Sequence, residues 1–183
     1  MSQVLEPAAS GRSRCRGCNR PIALGELRFG ERFPNAFGDG DATFWFHTRC
    51  AAYKRPEALL ELIERGDATD LPERGQLESI AGRGVAHPRL ARIDGAERAR
   101  GGQAKCRQCS DPIARGSWRI RLAYHDEGRF SPGGFIHLTC HAAYFETAQG
   151  LDAVLQFTPD LTDEDRHELN EFTGGSDSPA PSA

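Results

Sequence analysis

The feature that most constrains this chain is one arrangement of cysteine and histidine that occurs twice. The first ligand set follows the spacing C-x2-C-x28-H-x2-C and consists of Cys15, Cys18, His47 and Cys50. The second ligand set follows C-x2-C-x27-H-x2-C and consists of Cys106, Cys109, His137 and Cys140. The two sets are offset by 91 residues, and the residues around them also match. A repeat of this length indicates two copies of one domain rather than a solenoid of short repeats.

The composition of each set predicts a structural zinc site. Three thiolates and one imidazole complete a tetrahedral shell around Zn²⁺, so no coordination position remains for a reactive water. The alternatives are a C-x2-C redox pair or unreactive buried thiols, but neither requires a His-x2-Cys pair at the same place in both copies. His141 is a rival ligand beside Cys140, although His137 is the residue at the repeated position. We therefore predict two structural Zn²⁺ ions and no redox role.

The size of the chain explains why it would need metal. Its 183 residues allow one domain or two small ones, and small domains rarely bury enough apolar surface to be stable alone. No sequence window resembles a membrane span, and the first residues lack the layout of a secretion signal. We therefore expect an intracellular protein with no membrane partner, where thiols stay reduced and disulfides are rare.

Each copy reads as a small α+β zinc-binding domain, with a short antiparallel sheet and C-terminal helices around the metal. The composition predicts strands at residues 26–33 and 117–125, loops at 33–42 and 125–134, and return strands at 43–47 and 134–137 that deliver the histidines. Helices are expected from the final cysteines onward. Thr162 and Asp165 are a predicted capping pair, with Leu169 and Phe172 on a buried face.

These patterns divide the chain into five segments. Residues 1–8 are predicted to be a disordered N-terminus and 9–82 the first zinc domain. Residues 83–100 are read as a basic linker because they are rich in Gly and Arg with little periodicity. Residues 101–173 form the second zinc domain, and 174–183 a disordered tail.

Charge is distributed unevenly along the chain. The net charge is −3, yet residues 83–141 carry eleven basic and five acidic residues. Residues 142–183 carry nine acidic residues and one arginine. The regions that bear the cysteines are therefore basic, which is compatible with a nucleic-acid partner despite the negative total.

The motifs resemble the PARP-type zinc finger of poly(ADP-ribose) polymerases and of one class of DNA ligase. The similarity rests on the ligand spacing, on residues 10–18 and 25–28, on the loop at 37–40 and on residues 45–50. It covers roughly residues 9–80 and 100–173. The resemblance implies two tandem fingers that bind DNA strand breaks, without the catalytic domain of either enzyme.

The resemblance also implies which residues contact DNA. Arg12 and Arg28 match arginines that contact backbone phosphates, and Arg119 takes the place of Arg28 in the second copy. Phe37 and Phe130 lie in loops whose apolar residues stack on the exposed base pair of a break. The second copy departs from the pattern because Gln103 stands where the first phosphate-contacting arginine is expected.

Three functions compete at this point. The first is a non-enzymatic sensor or adaptor that binds nicked or broken duplex DNA and cooperates with DNA-repair proteins. The second is a zinc-stabilised protein-interaction scaffold that has lost DNA-end binding. The third, a zinc-dependent nuclease, requires an open metal position or a water-activating histidine, and neither is evident. The oligomeric state is left open by the sequence.

Overall fold

The computed structural model of the chain describes residues 2–34, 39–68, 70–126 and 128–172. The chain divides into two compact units. The first unit comprises Met1–Arg92 together with Ala123–Gly133, and the second comprises Ile93–Leu122 together with Gly134–Ala183. Each unit holds one of the two ligand sets. The predicted class, two small α+β zinc-binding domains, is confirmed.

The sheet of the first unit contains three antiparallel strands in the order β1-β2-β3. They are β1 (Gln3–Pro7), β2 (Leu27–Pro34) and β3 (Asp41–His47), so the strands predicted at 26–33 and 43–47 are confirmed. Phe29 of β2 lies opposite Phe46 of β3, and both side chains are fully buried. Such a cross-strand aromatic pair stabilises the sheet and fixes its register.

A glycine in β2 allows a large ring to lie on the sheet. Gly30 pairs with Trp45 of β3, and a Cβ at residue 30 would lie 2.6 Å from the Trp45 ring. Only a residue without a side chain fits this close approach. Gly30 therefore fixes where the indole lies, which matters for the arginine described below.

Three helices complete the core of the first unit. They are α1 (Thr48–Lys54), α2 (Pro56–Glu64) and α3 (Arg74–Ala86). Pro56 occupies the first turn of α2, where its missing N–H and fixed φ are favourable. Leu59 and Leu62 of α2 are fully buried, as is Leu77 of α3, and each contributes about 2 kcal/mol of burial. Because α1 begins directly after β3, its first turns carry Cys50 next to His47.

The second sheet has the order β4-β5-β6. Its strands are β4 (Ile93–Arg98), β5 (Trp118–Asp126) and β6 (Arg129–His137). The strand predicted at 117–125 is confirmed. Strand β5 extends to Asp126 and the return strand predicted at 134–137 begins at Arg129, so most of the loop predicted at 125–134 is wrong. Pro132 suggested a loop, but β6 lies at a sheet edge, where proline is tolerated.

Short helices follow the second ligand set. A 3₁₀ turn (Leu138–Cys140) leads into α4 (His141–Phe145), α5 (Leu151–Gln156) and α6 (Asp163–Phe172). Asp165 N–H donates to Thr162 Oγ1, and Thr162 Oγ1 donates to the Asp165 carboxylate, so the predicted cap is confirmed. Leu169 is fully buried as predicted, whereas the Phe172 side chain lies outside the description. Within the described ranges, no helix combines the length and apolar character that crossing a bilayer would need.

Two predicted segments are corrected by the structure. The N-terminus, predicted to be disordered over 1–8, contains β1 paired along its length with β2. The predicted linker 83–100 contains the end of α3, a 3₁₀ turn (Pro88–Arg92) and β4, which pairs with β5. Both strands satisfy their backbone groups with a partner 20 or more residues away, which local composition does not reveal. The predicted tail 174–183 lies outside the described residues.

Candidate metal centres and nucleic-acid contacts

The fold brings the four residues of the first ligand set together from three places. Cys15 and Cys18 lie in the turn before β2, His47 ends β3, and Cys50 lies in α1. Their ligand atoms all lie within 4.8 Å of one another. The Nδ1 atom of His47 is 3.4 Å from Cys18 Sγ and 3.9 Å from Cys50 Sγ. All four predicted ligands therefore converge on one point.

The second ligand set repeats this geometry. Its four ligand atoms also lie within 4.8 Å of one another. His137 Nδ1 is 3.4 Å from Cys109 Sγ and 3.9 Å from Cys140 Sγ. The rival ligand His141 is outside the set, because its Nδ1 lies 2.8 Å from the Leu138 carbonyl oxygen. His137 is thus the imidazole of this centre.

A backbone carbonyl orients the imidazole in both centres. Nε2 of His47 lies 3.2 Å from the oxygen of Pro21, and Nε2 of His137 lies 3.3 Å from the oxygen of Pro112. Each Nε2–H donates to its carbonyl, which leaves Nδ1 as the electron-pair donor facing the three sulfurs. Metal-binding histidines are commonly fixed in this way.

The clustered ligands hold their protons unevenly. Hydrogen bonds with Cys15 and Cys50 lower the pKa of Cys18, whereas hydrogen bonds with Cys15 and Cys18 raise the pKa of Cys50. Hydrogen bonds with Cys15 and Cys18 raise the pKa of His47 to about 10. Burial raises the pKa of Cys140 to about 12. Clustered thiols cannot all ionise alone, and a divalent cation resolves this by replacing the shared protons.

The donor set fits zinc. Three sulfurs and one imidazole nitrogen are soft and borderline ligands, which favour Zn²⁺ over oxygen-preferring Mg²⁺ or Ca²⁺. Each centre has four protein ligands, the number that closes a tetrahedral structural site. Two structural zinc ions per chain are therefore the cofactors of this protein.

The structure places two of the predicted phosphate contacts inside the protein. The Arg28 side chain is 8% exposed, donates to Glu6 at 2.6 Å and to Ser13 Oγ at 2.6 Å, and stacks on the Trp45 ring. Its guanidinium carbon lies 3.5 Å from the centroid of that ring. Arg28 is thus held by a carboxylate, a hydroxyl and an aromatic face.

Arg119 repeats the arrangement in the second unit. Its side chain donates to Glu97 and its guanidinium carbon lies 3.5 Å from the centroid of Phe135. Glu97 is offset from Glu6 by the same 91 residues as the ligand sets. Burial disfavours the charge of Glu97, but the hydrogen bonds and charges of Arg119 and Arg121 together outweigh it and lower the pKa of Glu97. Neither glutamate was predicted from the sequence, although the repeat offset could have revealed both.

The remaining predicted contacts differ in their surroundings. Arg12 is exposed and lies three residues before Cys15. Phe37 lies outside the described residues. Phe130 is half-buried in the first unit, with its ring 4.9 Å from the ring of His125 and 6.2 Å, edge-on, from that of Phe46. Of the predicted contacts that are described, Arg12 is therefore the most accessible.

A buried ionic group lies near Phe130. The guanidinium of Arg55 donates two hydrogen bonds to Glu31, at 2.6 Å and 2.9 Å, and Glu31 is 1% exposed. The third nitrogen of Arg55 donates to Nδ1 of His125 at 2.9 Å. Burial, followed by the charge of Arg55, lowers the pKa of His125 to about 4. His125 is therefore a neutral acceptor inside the first unit.

The fold and both centres define a protein with tandem Cys3His zinc fingers. Comparison with known proteins supports this class. Residues 6–81 match the family described as the poly(ADP-ribose) polymerase and DNA-ligase Zn-finger region. This segment holds the first ligand set, and it is similar to the PARP-type zinc-finger family.

Several longer proteins are similar to the chain. A poly(ADP-ribose) polymerase of Sarcophaga peregrina is 29% identical over 158 residues, and one of Drosophila melanogaster is 30% identical over 156 residues. These matches cover 75% and 76% of this chain but only 16% of each relative. The polynucleotide 3'-phosphatase ZDP of Arabidopsis thaliana is 24% identical over 179 residues, which are 84% of this chain and 26% of that protein. The chain therefore spans about a sixth of the length of the two polymerases and about a quarter of that of the phosphatase.

Proposed function

We propose that this protein binds nicked or broken duplex DNA by its structure rather than its sequence, and that it acts as a sensor or adaptor in DNA repair. The observation that carries the proposal is the pair of PARP-type Cys3His centres, the first lying within the segment matched to the family. The proposal places the protein inside the cell, with DNA and DNA-repair proteins as partners and no membrane.

The proposed phosphate-binding surface begins at the turn that carries Cys15 and Cys18. Arg12, Arg14 and Arg16 are exposed on either side of buried Cys15. Guanidinium groups on a rigid turn can bind phosphate oxygens at any DNA sequence, because phosphate contacts carry no sequence information. Arg12 is the sequence-predicted member of this group, and we assign it the principal phosphate contact.

The other predicted contacts require a change of partner. Arg28 and Arg119 would have to exchange a carboxylate for a DNA phosphate, and Phe130 would have to leave the rings of His125 and Phe46. Phe37 is proposed to stack on the terminal base pair of a break, where one aromatic ring contributes about 1–3 kcal/mol. We propose that Arg12 and Phe37 act first, and that the buried residues contribute after rearrangement.

The proposal contains no catalytic step. Four protein ligands close each centre, whereas a catalytic zinc keeps a position for water or substrate. We therefore propose that the fingers recognise DNA and leave its chemistry to other proteins. Incubation of zinc-loaded protein with labelled DNA and added Zn²⁺ or Mg²⁺ should yield no cleavage.

A competition assay tests the proposal. Zinc-loaded protein is bound to a labelled nicked duplex and challenged with nicked, blunt-ended, single-stranded or covalently closed circular DNA. We expect nicked and blunt-ended DNA to compete at much lower concentrations than closed circles. Equal competition by all four forms would contradict break recognition.

Substitution of Arg12 tests the phosphate surface. Each phosphate contact contributes about −0.9 to the slope of log affinity against log salt concentration, so Arg12→Ala should make that slope shallower by about 0.9. The matched control is Arg32→Ala, which removes the same charge from an exposed position on β2. An unchanged slope for Arg12→Ala would exclude Arg12 as a phosphate contact.

A protein-interaction scaffold is the second candidate. The observation that favours it is the internal use of Arg28, Arg119 and Phe130, three of the five predicted DNA contacts. In a scaffold these side chains would stabilise the fingers, and the acidic surface of α6 would face a basic partner. Weak binding to every DNA form, with both zinc ions present, would favour this function.

A further inference from the structure

The two zinc centres differ in the charge that lies next to an outer sulfur. In the first ligand set, Nε of Arg20 donates to Cys18 Sγ at 3.5 Å. Arg20 is the second residue after Cys18, and the second residue after Cys109 is Asp111. A cation beside one thiolate is thus replaced by an anionic residue at the equivalent position of the other copy.

This difference matters because of the charge of the centre itself. Zn²⁺ with three thiolates and a neutral imidazole has a net charge of −1. A guanidinium that donates to sulfur offsets this charge and withdraws electron density, which makes the thiolate a poorer nucleophile. Outer partners of this kind change metal retention considerably. The Cys109 sulfur, in the described part of the chain, receives no hydrogen bond from a cationic side chain.

The centres also differ in exposure. Cys109 is exposed, whereas its counterpart Cys18 is only partly accessible. Cys140 is partly accessible, whereas its counterpart Cys50 is fully buried. A small reagent therefore reaches the second ligand set more easily, and the first sulfur that it meets is Cys109.

We propose that Cys109 is a site of oxidative modification by peroxides, that the second centre releases its zinc before the first, and that Arg20 protects the first centre. The reagent class is hydrogen peroxide or a small organic peroxide. This inference does not depend on DNA binding, because it concerns only the retention of metal.

The chemistry balances with the residues present. The Cys109 thiolate attacks one peroxide oxygen, the O–O bond breaks, hydroxide leaves, and a sulfenic acid remains on sulfur. A second thiolate of the same set, all of whose ligand atoms lie within 4.8 Å, then attacks that sulfur and displaces a second hydroxide. Two thiolates lose two electrons to form a disulfide; hydrogen peroxide gains them to become two hydroxides, and an organic peroxide becomes one alkoxide and one hydroxide. With two of its four ligands joined in a disulfide, the site would no longer hold zinc.

The order of release can be measured on the unaltered full chain. Protein with two bound zinc ions is treated with limiting hydrogen peroxide, released zinc is followed with a chromogenic chelator, and remaining thiols are alkylated and mapped by mass spectrometry. We expect release in two phases, with Cys109 modified in the first phase and the first ligand set still alkylatable. Release of both ions in one phase, or modification of the first ligand set first, would overturn the proposal.

Charge exchange between the centres tests the role of Arg20. We expect Arg20→Asp to accelerate zinc release from the first centre and Asp111→Arg to slow zinc release from the second. Each change should be about tenfold, which is the lower end of the effect of a hydrogen-bond partner outside the ligand shell. Arg32→Asp and Asp160→Arg make the same charge changes at exposed positions away from the sulfurs. If these controls alter the rates as much as the exchanges do, long-range charge and not contact with sulfur is responsible, and the assignment of Arg20 fails.

Discussion

Replacement of Arg28 by alanine tests whether this arginine is primarily structural. The substitution removes a hydrogen bond to Ser13, an ion pair with Glu6 and a cation–π contact with Trp45. In the resemblance to PARP-type fingers the same residue is a phosphate contact. Any loss of DNA binding in Arg28→Ala therefore has two explanations, and stability measurements separate them.

The magnitude follows from the exposure of each partner. The Glu6 side chain is 42% exposed, so its ion pair contributes about 0.5 kcal/mol. The charged hydrogen bond to Ser13 contributes about 1.5 kcal/mol. Stacking on the partly buried Trp45 adds about 1 kcal/mol. We expect Arg28→Ala to lower the free energy of unfolding of the first unit by about 3 kcal/mol.

Urea unfolding with excess zinc provides the measurement. The chain has two tryptophans, so a Trp118→Phe background leaves Trp45, directly beneath Arg28, as the fluorescent reporter of the first unit. The matched control is the exposed Arg12→Ala, for which a change within about 0.5 kcal/mol is expected. If Arg28→Ala also stays within that range while retaining zinc, the structural role is refuted and phosphate contact becomes the better explanation.

Three further perturbations follow from the structure. Chelation of zinc should unfold both units and abolish most far-UV circular dichroism, because roughly 10–16 kcal/mol of binding energy per site exceeds the stability of a small domain; a chelator-resistant fold would contradict this. Gly95→Ala should destabilise the second unit by more than about 2 kcal/mol in thermal unfolding, because φ is +96° there and a Cβ would lie 2.4 Å from the Phe157 carbonyl oxygen. The control is Gly101→Ala, because a Cβ at residue 101 would meet no atom within 4 Å. The pKa of His125 is about 4 in the folded chain and about 6.5 when unfolded, so only the unfolded state gains a proton as the pH falls between these values. Acidification from pH 7.5 to 5 should therefore lower the free energy of unfolding of the natural chain by about 2 kcal/mol, and His125→Gln should avoid this loss. Equal losses in both proteins would contradict the burial of a neutral His125.

The ligands and the central strands could be predicted because their signals are local. Cysteine spacing determines which residues share a metal, and β2 and β5 are short runs of aromatic and β-branched residues bounded by turns. Strands β1 and β4 were missed because their short sequences are equally typical of loops. What makes them strands is pairing with β2 and β5, which a reading of neighbouring residues does not detect.

The buried arginines escaped prediction for a different reason. An arginine beside a basic motif resembles a ligand contact, and the structure shows that Glu6 or Glu97 lies opposite it. Phe130 is similar: its flanks are typical of an exposed loop, yet it contacts Phe46 and His125 in the first unit. The role of a charged or aromatic side chain therefore depends on the partners that the fold places beside it.

The comparison of the two copies indicates where their functions diverge. The internal arrangement of arginine, glutamate and aromatic ring is present in both, and exchange of Trp45 for Phe135 still leaves a ring at 3.5 Å from the guanidinium. The exposed positions differ instead, with arginine at residue 12 against Gln103. Internal positions are constrained by packing, since a lost partner leaves a buried charge unpaired, whereas an exposed side chain changes at little cost in stability. Differences in DNA affinity between the two fingers should therefore depend on exposed residues. Gln103→Arg should strengthen DNA binding without altering the free energy of unfolding of the second unit.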